Sequence, residues 1–188
     1  MLSIDGDTST NDMCVVLANG QAGNAEIAAE GEDFAAFMKA LNTVTICLCR
    51  QIAADGEGAT RLLECKVTGA PTLADAKLAA KSVVCSSLFK AAIFGADANC
   101  GRALCALGYS GANIDVDKIE VAFRSPAGTI TVCENGAGVD FSEEEAKKIL
   151  LEKEIEVLVD LHQGTAASAA WGCDLTYDYV RINGDYRT

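Results

Sequence analysis

The sequence closes with the stretch Trp171-Gly-Cys-Asp-Leu-Thr-Tyr-Asp-Tyr-Val-Arg-Ile-Asn-Gly-Asp-Tyr-Arg-Thr188. Chain ends are usually polar and poorly ordered. This one carries a Trp, three Tyr, a Val and an Ile, with Asp, Arg and Asn set between them. The apolar residues supply enough surface to pack on the body of a domain, and the polar ones are able to converge on a ligand. We therefore expect the tail to dock on the rest of the chain.

Upstream of the tail, the spacing of apolar residues predicts helices and strands in alternation. The first half is predicted to contain a helix capped by Thr8, Ser9 or Thr10 and ended by Gly20, a loop at 21–31, a helix at 32–54, a polar turn at 55–60 and a strand at 60–68.

The helix at 32–54 is amphipathic. Its apolar residues lie mainly on one broad face: Phe34, Phe37, Met38, Leu41, Val44, Ile46, Leu48 and Ile52. Packing must support it, because its run of β-branched residues lowers helix propensity.

The second half contains two capping boxes, at Thr72–Asp75 and Ser142–Glu145, and a hairpin signal at 125–128. We predict helices at 72–89, 101–108 and 142–152, strands at 91–94, 118–124, 128–133, 155–161 and 166–173, and a tail helix at 176–182 capped by Asp174 or Thr176. The fold class is therefore α/β.

Composition narrows the class of partner. The net charge is −12, which disfavours nucleic acids and anionic membrane surfaces, since both select basic patches. No apolar stretch approaches the ~20 residues that cross a bilayer, and no signal-peptide pattern is present at the start. We expect a cytoplasmic protein with a sizeable core, because half of its residues are hydrophobic.

The nine cysteines are scattered, with no C-x-x-C pair, and the chain has a single histidine, His162. Zinc therefore has few candidate ligands, and we expect no metal site. We interpret the cysteines as reduced core residues. We interpret His162, at a predicted strand end, as a surface residue rather than part of a Cys–His pair.

Four stretches, in order along the chain, resemble one enzyme family. They are Asp5-Gly-Asp-Thr-Ser-Thr-Asn-Asp12, Ala54-Asp-Gly-Glu-Gly-Ala-Thr60, the segment Lys90–Gly111 with Ile93-Phe-Gly-Ala-Asp-Ala-Asn99 and Gly101-Arg102, and the tail. Together they resemble the glutamate/ornithine N-acetyltransferases, the bifunctional enzymes of arginine biosynthesis. Cys100 departs from the family pattern, which usually has Trp there.

The resemblance implies a fold and a domain division. We expect the β-chain part of an N-terminal-nucleophile-type acetyltransferase, with mixed sheets and packed helices. Residues 1–63 would belong to the catalytic core, and residues 64–188 would form a C-terminal α/β domain whose tail returns to the active site. Family precursors cleave themselves before a Thr in an M-A-T-M-L-like motif. That motif is absent from these 188 residues, so we expect no catalytic residue in this chain and no activity from it alone.

The resemblance also implies the reaction. The full enzyme would transfer acetyl from N2-acetylornithine, with acetyl-CoA as an alternative donor, to glutamate through an acetyl-Thr enzyme. No bound cofactor is implied. The partner would be the α chain of the same precursor, in an α2β2 heterotetramer.

Glu57, Asn183 and Thr188 are the substrate-binding residues that the resemblance implies. From the residues alone, Glu57 is better explained as an exposed turn residue, Asn183 as a helix C-cap before Gly184, and Thr188 as a disordered last residue. A carboxylate between two glycines suits an ammonium group, and an asparagine amide can bind both ends of an amino acid.

The other polar clusters are interpreted as structural. Asp97 and Asn99 would be loop and cap residues near Lys90, and Arg102 would pair with an acid. The run 5–12 would form a turn and a helix cap, because it lacks the EF-hand spacing.

Two alternative functions stay open. One is a non-catalytic oligomerising or interaction module. The other is an amidohydrolase or aminopeptidase of the related Thr/Ser-nucleophile family.

Overall fold

The structure is a computed structural model that describes residues 1–9 and 13–186. Its helices are α1 (Glu32–Ala54), α2 (Leu73–Cys85), α3 (Ser87–Phe94), α4 (Cys100–Gly108), α5 (Glu143–Leu150) and α6 (Tyr177–Asp185), with a 3-10 turn at Val116–Lys118. Its strands are β1 (Leu62–Ala70), β2 (Glu120–Ser125), β3 (Gly128–Glu134), β4 (Ala137–Gly138), β5 (Glu154–Asp160) and β6 (Ala166–Cys173). The α/β class is confirmed.

The strands of the described chain form one sheet in the order β4-β3-β2-β5-β1-β6. β1 and β5 run parallel, with Leu63 opposite Ile155 and Val67 opposite Val159. The other neighbouring strands are antiparallel, so the sheet is mixed, as predicted. β1 therefore lies inside the sheet, between β5 and β6.

The two faces of the sheet differ in character because successive side chains of a strand point to opposite sides. Leu63, Cys65 and Val67 of β1 are fully buried in the main core, on the face that α2 covers. Lys66 lies on the other face and donates to Glu156 at 2.6 Å. Partial burial raises the pKa of Glu156, but hydrogen bonds from Lys66 and Arg124 outweigh it and leave that pKa below its ordinary value.

Side-chain caps set where most helices begin. Thr72, Ser86, Asn99, Ser142 and Thr176 each accept a hydrogen bond from the backbone N–H three residues later. A cap of this kind satisfies one of the N–H groups that the first turn leaves unpaired. The predicted caps at Thr72 and Ser142 are confirmed, and Thr176 rather than Asp174 caps the tail helix.

The strand predicted at 91–94 is wrong. Those residues form the last turn of α3, and the helix predicted to reach residue 89 stops at Cys85. The reason is Ser86, whose hydroxyl accepts a hydrogen bond from the N–H of Phe89. This cap ends α2 and begins α3. A short apolar run does not by itself distinguish a strand from a buried helical turn.

The helix predicted to end at Gly20 is also wrong for the described part of that stretch. Residues 13–19 form neither helix nor strand. Met13, Val15, Val16 and Leu17 are exposed, so no packing compensates the cost of nucleating so short a helix. The cap positions from Thr10 to Asp12 lie outside the described residues.

The long helix predicted at 32–54 is confirmed with the same bounds, but its apolar face is not packed. Within α1 only Ala53 is buried. Phe37 and Val44 are each 56% exposed, and Leu48 and Ile52 are also exposed. α1 instead rests on the sheet through Cys49 and Ala53, beside Trp171. No helix of the described residues is long and apolar enough to cross a membrane.

The remaining predicted elements agree with the structure to within a few residues. They are the loop at 21–31, the turn at 55–60, the helix at 101–108, the hairpin of β2 and β3, the helix after Ser142, and the strands β1, β5 and β6. The proposed division of the chain after residue 63 runs within β1, and Leu2 pairs with Trp171 of β6. The domain division stays a prediction.

The cysteines are free, as predicted, but most are not core residues. Cys65, Cys133 and Cys173 are buried, whereas four others are exposed: Cys14, Cys47, Cys85 and Cys105. The prediction of general burial is therefore wrong. Burial raises the pKa of the Cys65, Cys133 and Cys173 thiols.

In the native chain, iodoacetamide is expected to modify the exposed cysteines faster than the buried ones. The thiolate is the reactive form, and burial both disfavours it and blocks the reagent. Peptide mass spectrometry should find rapid modification of Cys14, Cys47, Cys85 and Cys105. Cys65, Cys133 and Cys173 should react only after unfolding in urea. Equal rates at Cys65 and Cys85 in the native chain would contradict the structure.

Candidate active site

The turn that carries Glu57 is shaped by the glycines on either side of it. Gly58 has a φ of +67°, in the left-handed region that glycine adopts without strain. A Cβ on Gly58 would lie 2.6 Å from the backbone nitrogen of Tyr179. The turn thus touches the main chain of α6 directly, and the tail does fold back onto the 56–58 bend.

A buried carboxylate fixes the base of this turn to the start of the tail. The side chain of Asp174 is fully buried and lies just after β6. It accepts from the backbone N–H groups of Thr60, at 2.8 Å, and Arg61, at 3.0 Å, and from the Thr60 hydroxyl. The Arg61 guanidinium approaches it at 3.5 Å. These contacts satisfy the buried charge, which would otherwise be costly.

The first turn of α6 binds the same bend. The Thr176 hydroxyl donates to the carbonyl of Gly58 at 2.7 Å and accepts from the N–H of Tyr179 at 3.3 Å. One hydroxyl therefore caps α6 and also attaches it to the residue that follows Glu57.

Two of the three predicted site residues meet. The Asn183 amide nitrogen donates to a Glu57 carboxylate oxygen at 2.7 Å and to the Tyr179 carbonyl at 3.0 Å. Both amide hydrogens are therefore used, and the free polar atom of Asn183 is its carbonyl oxygen, an acceptor. The expectation that Asn183 offers both a donor and an acceptor to a ligand does not fit this arrangement. Thr188 lies outside the described residues.

Glu57 and Asn183, together with Tyr179 and Asp5, form one surface, which we call the wall. It is rich in hydrogen-bond acceptors and negative charge. The Tyr179 phenol donates to an Asp5 carboxylate oxygen at 3.0 Å. Desolvation raises the pKa of Tyr179, and the hydrogen bond to Asp5 and the charges of Asp5, Asp7 and Glu57 raise it further. Such a surface favours a cationic group.

The link between Asp5 and Tyr179 was missed by sequence reasoning. The run 5–12 was interpreted as a turn and a cap, and the turn is present, since the N–H of Asp7 donates to Asp5 at 2.9 Å. The two partners are far apart in sequence, and only the joint match of the run at 5–12 and the tail to one family hinted that they lie together.

The cluster near Lys90 is structural in the described residues. Asn99 caps α4, as predicted, and donates to Asp97 at 3.2 Å. Arg102 donates to the Leu88 carbonyl at 3.0 Å, so its predicted ion pair with an acid is wrong there. Lys90 is buried and donates to the Ile4 carbonyl, next to Asp5.

His162 lies on the surface, as predicted. It follows β5, and its ring nitrogen is 3.3 Å from a Glu120 carboxylate oxygen. Its ring contacts in the described part of the chain are carboxylates rather than a cysteine thiol.

Comparison with known proteins gives one consistent result. The model of the ArgJ family matches residues 1–188. The arginine biosynthesis bifunctional protein ArgJ 1 of Clostridium acetobutylicum is 53% identical over 188 residues, covering 100% of this chain and 46% of that protein. ArgJ of Caldanaerobacter subterraneus subsp. tengcongensis is 54% identical, with 100% and 47% covered. The chain thus spans about half the length of the curated relatives it matches.

A solved structure of the same family is also similar to this chain. The crystal structure of the arginine biosynthesis bifunctional protein argJ from Bacillus halodurans superposes with a TM-score of 0.90 at 49% identity. The match covers 98% of this chain and 85% of that chain.

Gly58→Ala is expected to destabilise the chain by about 1–3 kcal/mol, because it strains the left-handed backbone and forces α6 away from the bend. The matched control is Gly184→Ala, whose added methyl meets nothing within 4 Å. Urea unfolding of the two variants checks this difference. A Gly58→Ala chain as stable as the control would contradict the close contact between the bend and α6.

Proposed function

This chain belongs to the ArgJ family, and we propose that it forms the substrate-holding part of an enzyme that transfers acetyl from N2-acetylornithine to glutamate. Glu57, Asn183 and Thr188 bind the amino acid. The attacking Thr and the donors that stabilise the oxyanion come from the other part of the enzyme. The acetyl group is carried on that Thr between the two half-reactions, and acetyl-CoA is an additional donor.

The observation that supports this proposal is the hydrogen bond between Asn183 and Glu57. It joins two residues that are distant in sequence, each already singled out by its match to a family motif. The bond lies beyond the start of the tail, which Asp174 and Thr176 already hold.

The chemistry of the wall suggests which end of the amino acid it binds. Glu57 keeps one carboxylate oxygen without a hydrogen bond to a described residue, and Asn183 keeps its carbonyl oxygen. Both are acceptors. They suit the ammonium group of ornithine or glutamate, and a charge-assisted hydrogen bond of this kind is about twice as strong as a neutral one.

The partner of this chain is the α chain of the same precursor, in an α2β2 assembly. The exposed apolar face of α1 supports this, since contiguous apolar surface usually marks an interface. The half-length match to the relatives supplies a partner segment of suitable size. The same face is equally expected of a non-catalytic interaction module, so an activity assay decides between them.

A hybrid enzyme tests the function. In it, this chain replaces the segment that it matches in the Clostridium acetobutylicum relative. We expect the hybrid to convert N2-acetylornithine and glutamate into N-acetylglutamate and ornithine, measured by mass spectrometry. Release of free acetate instead would favour the hydrolase alternative, and no turnover of either kind would contradict the proposal.

Within the hybrid enzyme, Glu57→Gln is expected to raise the KM for glutamate about tenfold, because a charge-assisted hydrogen bond becomes a neutral one. The matched control is Glu145→Gln, on the exposed surface of α5. A Glu57→Gln hybrid with the same KM as this control would show that Glu57 does not bind the substrate.

Phe37→Asp in α1 is expected to weaken association with the unmatched part of the same relative about tenfold or more, since a buried aromatic side chain contributes about 2–3 kcal/mol. Co-purification after co-expression measures the loss. Thr43→Asp, at an exposed position on the opposite side of α1, is the control. Equal recovery of the two variants would exclude the apolar face as the interface.

A further inference from the structure

We propose that Tyr179 and Asp5 are positioning residues, whose hydrogen bond holds α6 so that Asn183 stays against Glu57. This inference rests on the proposed function, because it concerns the wall that binds the substrate. It assigns a role to Asp5 that a turn alone does not explain.

The helix that carries Asn183 has little apolar contact with the rest of the protein. No residue of α6 is buried, and so short a helix is unstable by itself in water. Its described attachments to the body include the edge-on contact of Tyr177 with Phe94, the close approach of Gly58 to its main chain, and three polar links. The polar links are those of Thr176 to Gly58, Tyr179 to Asp5 and Asn183 to Glu57. Hydrogen bonds therefore determine how α6 is oriented.

The position of Asp5 is set by residues 1–4, which hydrogen bonds hold from both sides. The N–H of Ser3 donates to the Trp171 carbonyl at 3.0 Å, and the Trp171 N–H donates to the Met1 carbonyl at 2.8 Å. On the other side, the Lys90 ammonium, only 3% exposed as a residue, donates to the Ile4 carbonyl.

The Asp5 carboxylate is itself oriented. One oxygen accepts from the Asp7 N–H at 2.9 Å, and the other accepts from the Tyr179 phenol at 3.0 Å. The carboxylate therefore has one oxygen for the local turn and one for α6.

The backbone of Tyr179 connects the Asp5 contact to Asn183. The two residues are one helical turn apart, and the Tyr179 carbonyl accepts from the Asn183 amide at 3.0 Å. The phenol sets the rotation of the helix, and the carbonyl sets the direction of the amide toward Glu57. Loss of the phenol would leave Thr176 to hold the first turn and the Asn183–Glu57 bond alone to resist tilting beyond it.

The first test uses the chain as it is. In Tyr179→Phe, amide hydrogen exchange in α6 should become about tenfold faster, the factor expected from the loss of one hydrogen bond to a charged group. Exchange in β6 should not change. The control is Tyr177→Phe, on the same helix, whose phenol is exposed and bonds to no described residue. Unchanged exchange in α6 of Tyr179→Phe would overturn the proposal.

The second test separates positioning from a general structural role by using the hybrid enzyme. Tyr179→Phe and Asp5→Ala should each raise the KM for glutamate about tenfold while kcat changes less than twofold. The double variant should be no worse than either single one, because the two residues share one bond. In an Asn183→Ala background, Tyr179→Phe should have no further effect on KM.

Three results of the second test would overturn the proposal. They are an unchanged KM, additive effects of the two variants, and a KM effect that persists without Asn183. Failure of the proposed function is distinguishable, since the unaltered hybrid would then transfer no acetyl group. Hydrogen exchange in the chain would still decide whether Asp5 and Tyr179 hold α6.

Discussion

The buried carboxylate of Asp174 is the contact on which the arrangement of the site depends. It lies where β6 ends and the tail begins, and it binds the main chain of Thr60 and Arg61 just before β1. Asp174 also pairs with the Arg61 guanidinium, and removing one partner of such a buried pair typically costs about 3–5 kcal/mol of stability. By fixing the entry to β1 and the exit from β6 to one another, it places the Glu57 turn and α6 on the same edge of the protein.

Beyond Asp174, the tail is held by polar contacts and not by burial. The strands below it are stabilised by a continuous apolar core, whereas no α6 residue is buried. A hydrogen bond contributes only about 1 kcal/mol net, or about 1.5–3 kcal/mol when one group is charged, so α6 belongs to the less stable part of the structure. Segments of this kind are where ligand-binding elements are commonly found. A ligand that bridges Glu57 and Asn183 would therefore also stabilise the helix that presents one of them.

Local signals in the sequence predicted most elements, because caps and periodicity act over a few residues. Thr72 and Ser142 marked helix starts through hydroxyls that bind the N–H three residues later. Predictions failed where the result depended on contacts from elsewhere in the chain. The apolar residues at 13–18 have no described surface to pack on, and the apolar run at 91–94 became helical after Ser86 began α3.

The site shows the same division between local and distant information. Composition and spacing favoured ordinary roles for Glu57 and Asn183, and only the family resemblance selected them as a pair. The bond between Asp5 and Tyr179 joins opposite ends of the chain. Nothing local to either residue encodes it, since an Asp in a turn and a Tyr on a helix are both common.

The chemistry of the wall also limits which end of an amino acid it can bind. The described contacts of Glu57, Asn183 and Tyr179 involve carboxylates, an amide and a phenol, and no lysine or arginine takes part. An amino acid carries a carboxylate as well as an ammonium group, and a carboxylate placed against this wall would be repelled. If this wall binds an amino acid, as proposed, the cation for that carboxylate has to come from residues other than these three. The wall and the exposed apolar face of α1 are thus two surfaces that the described residues leave uncovered.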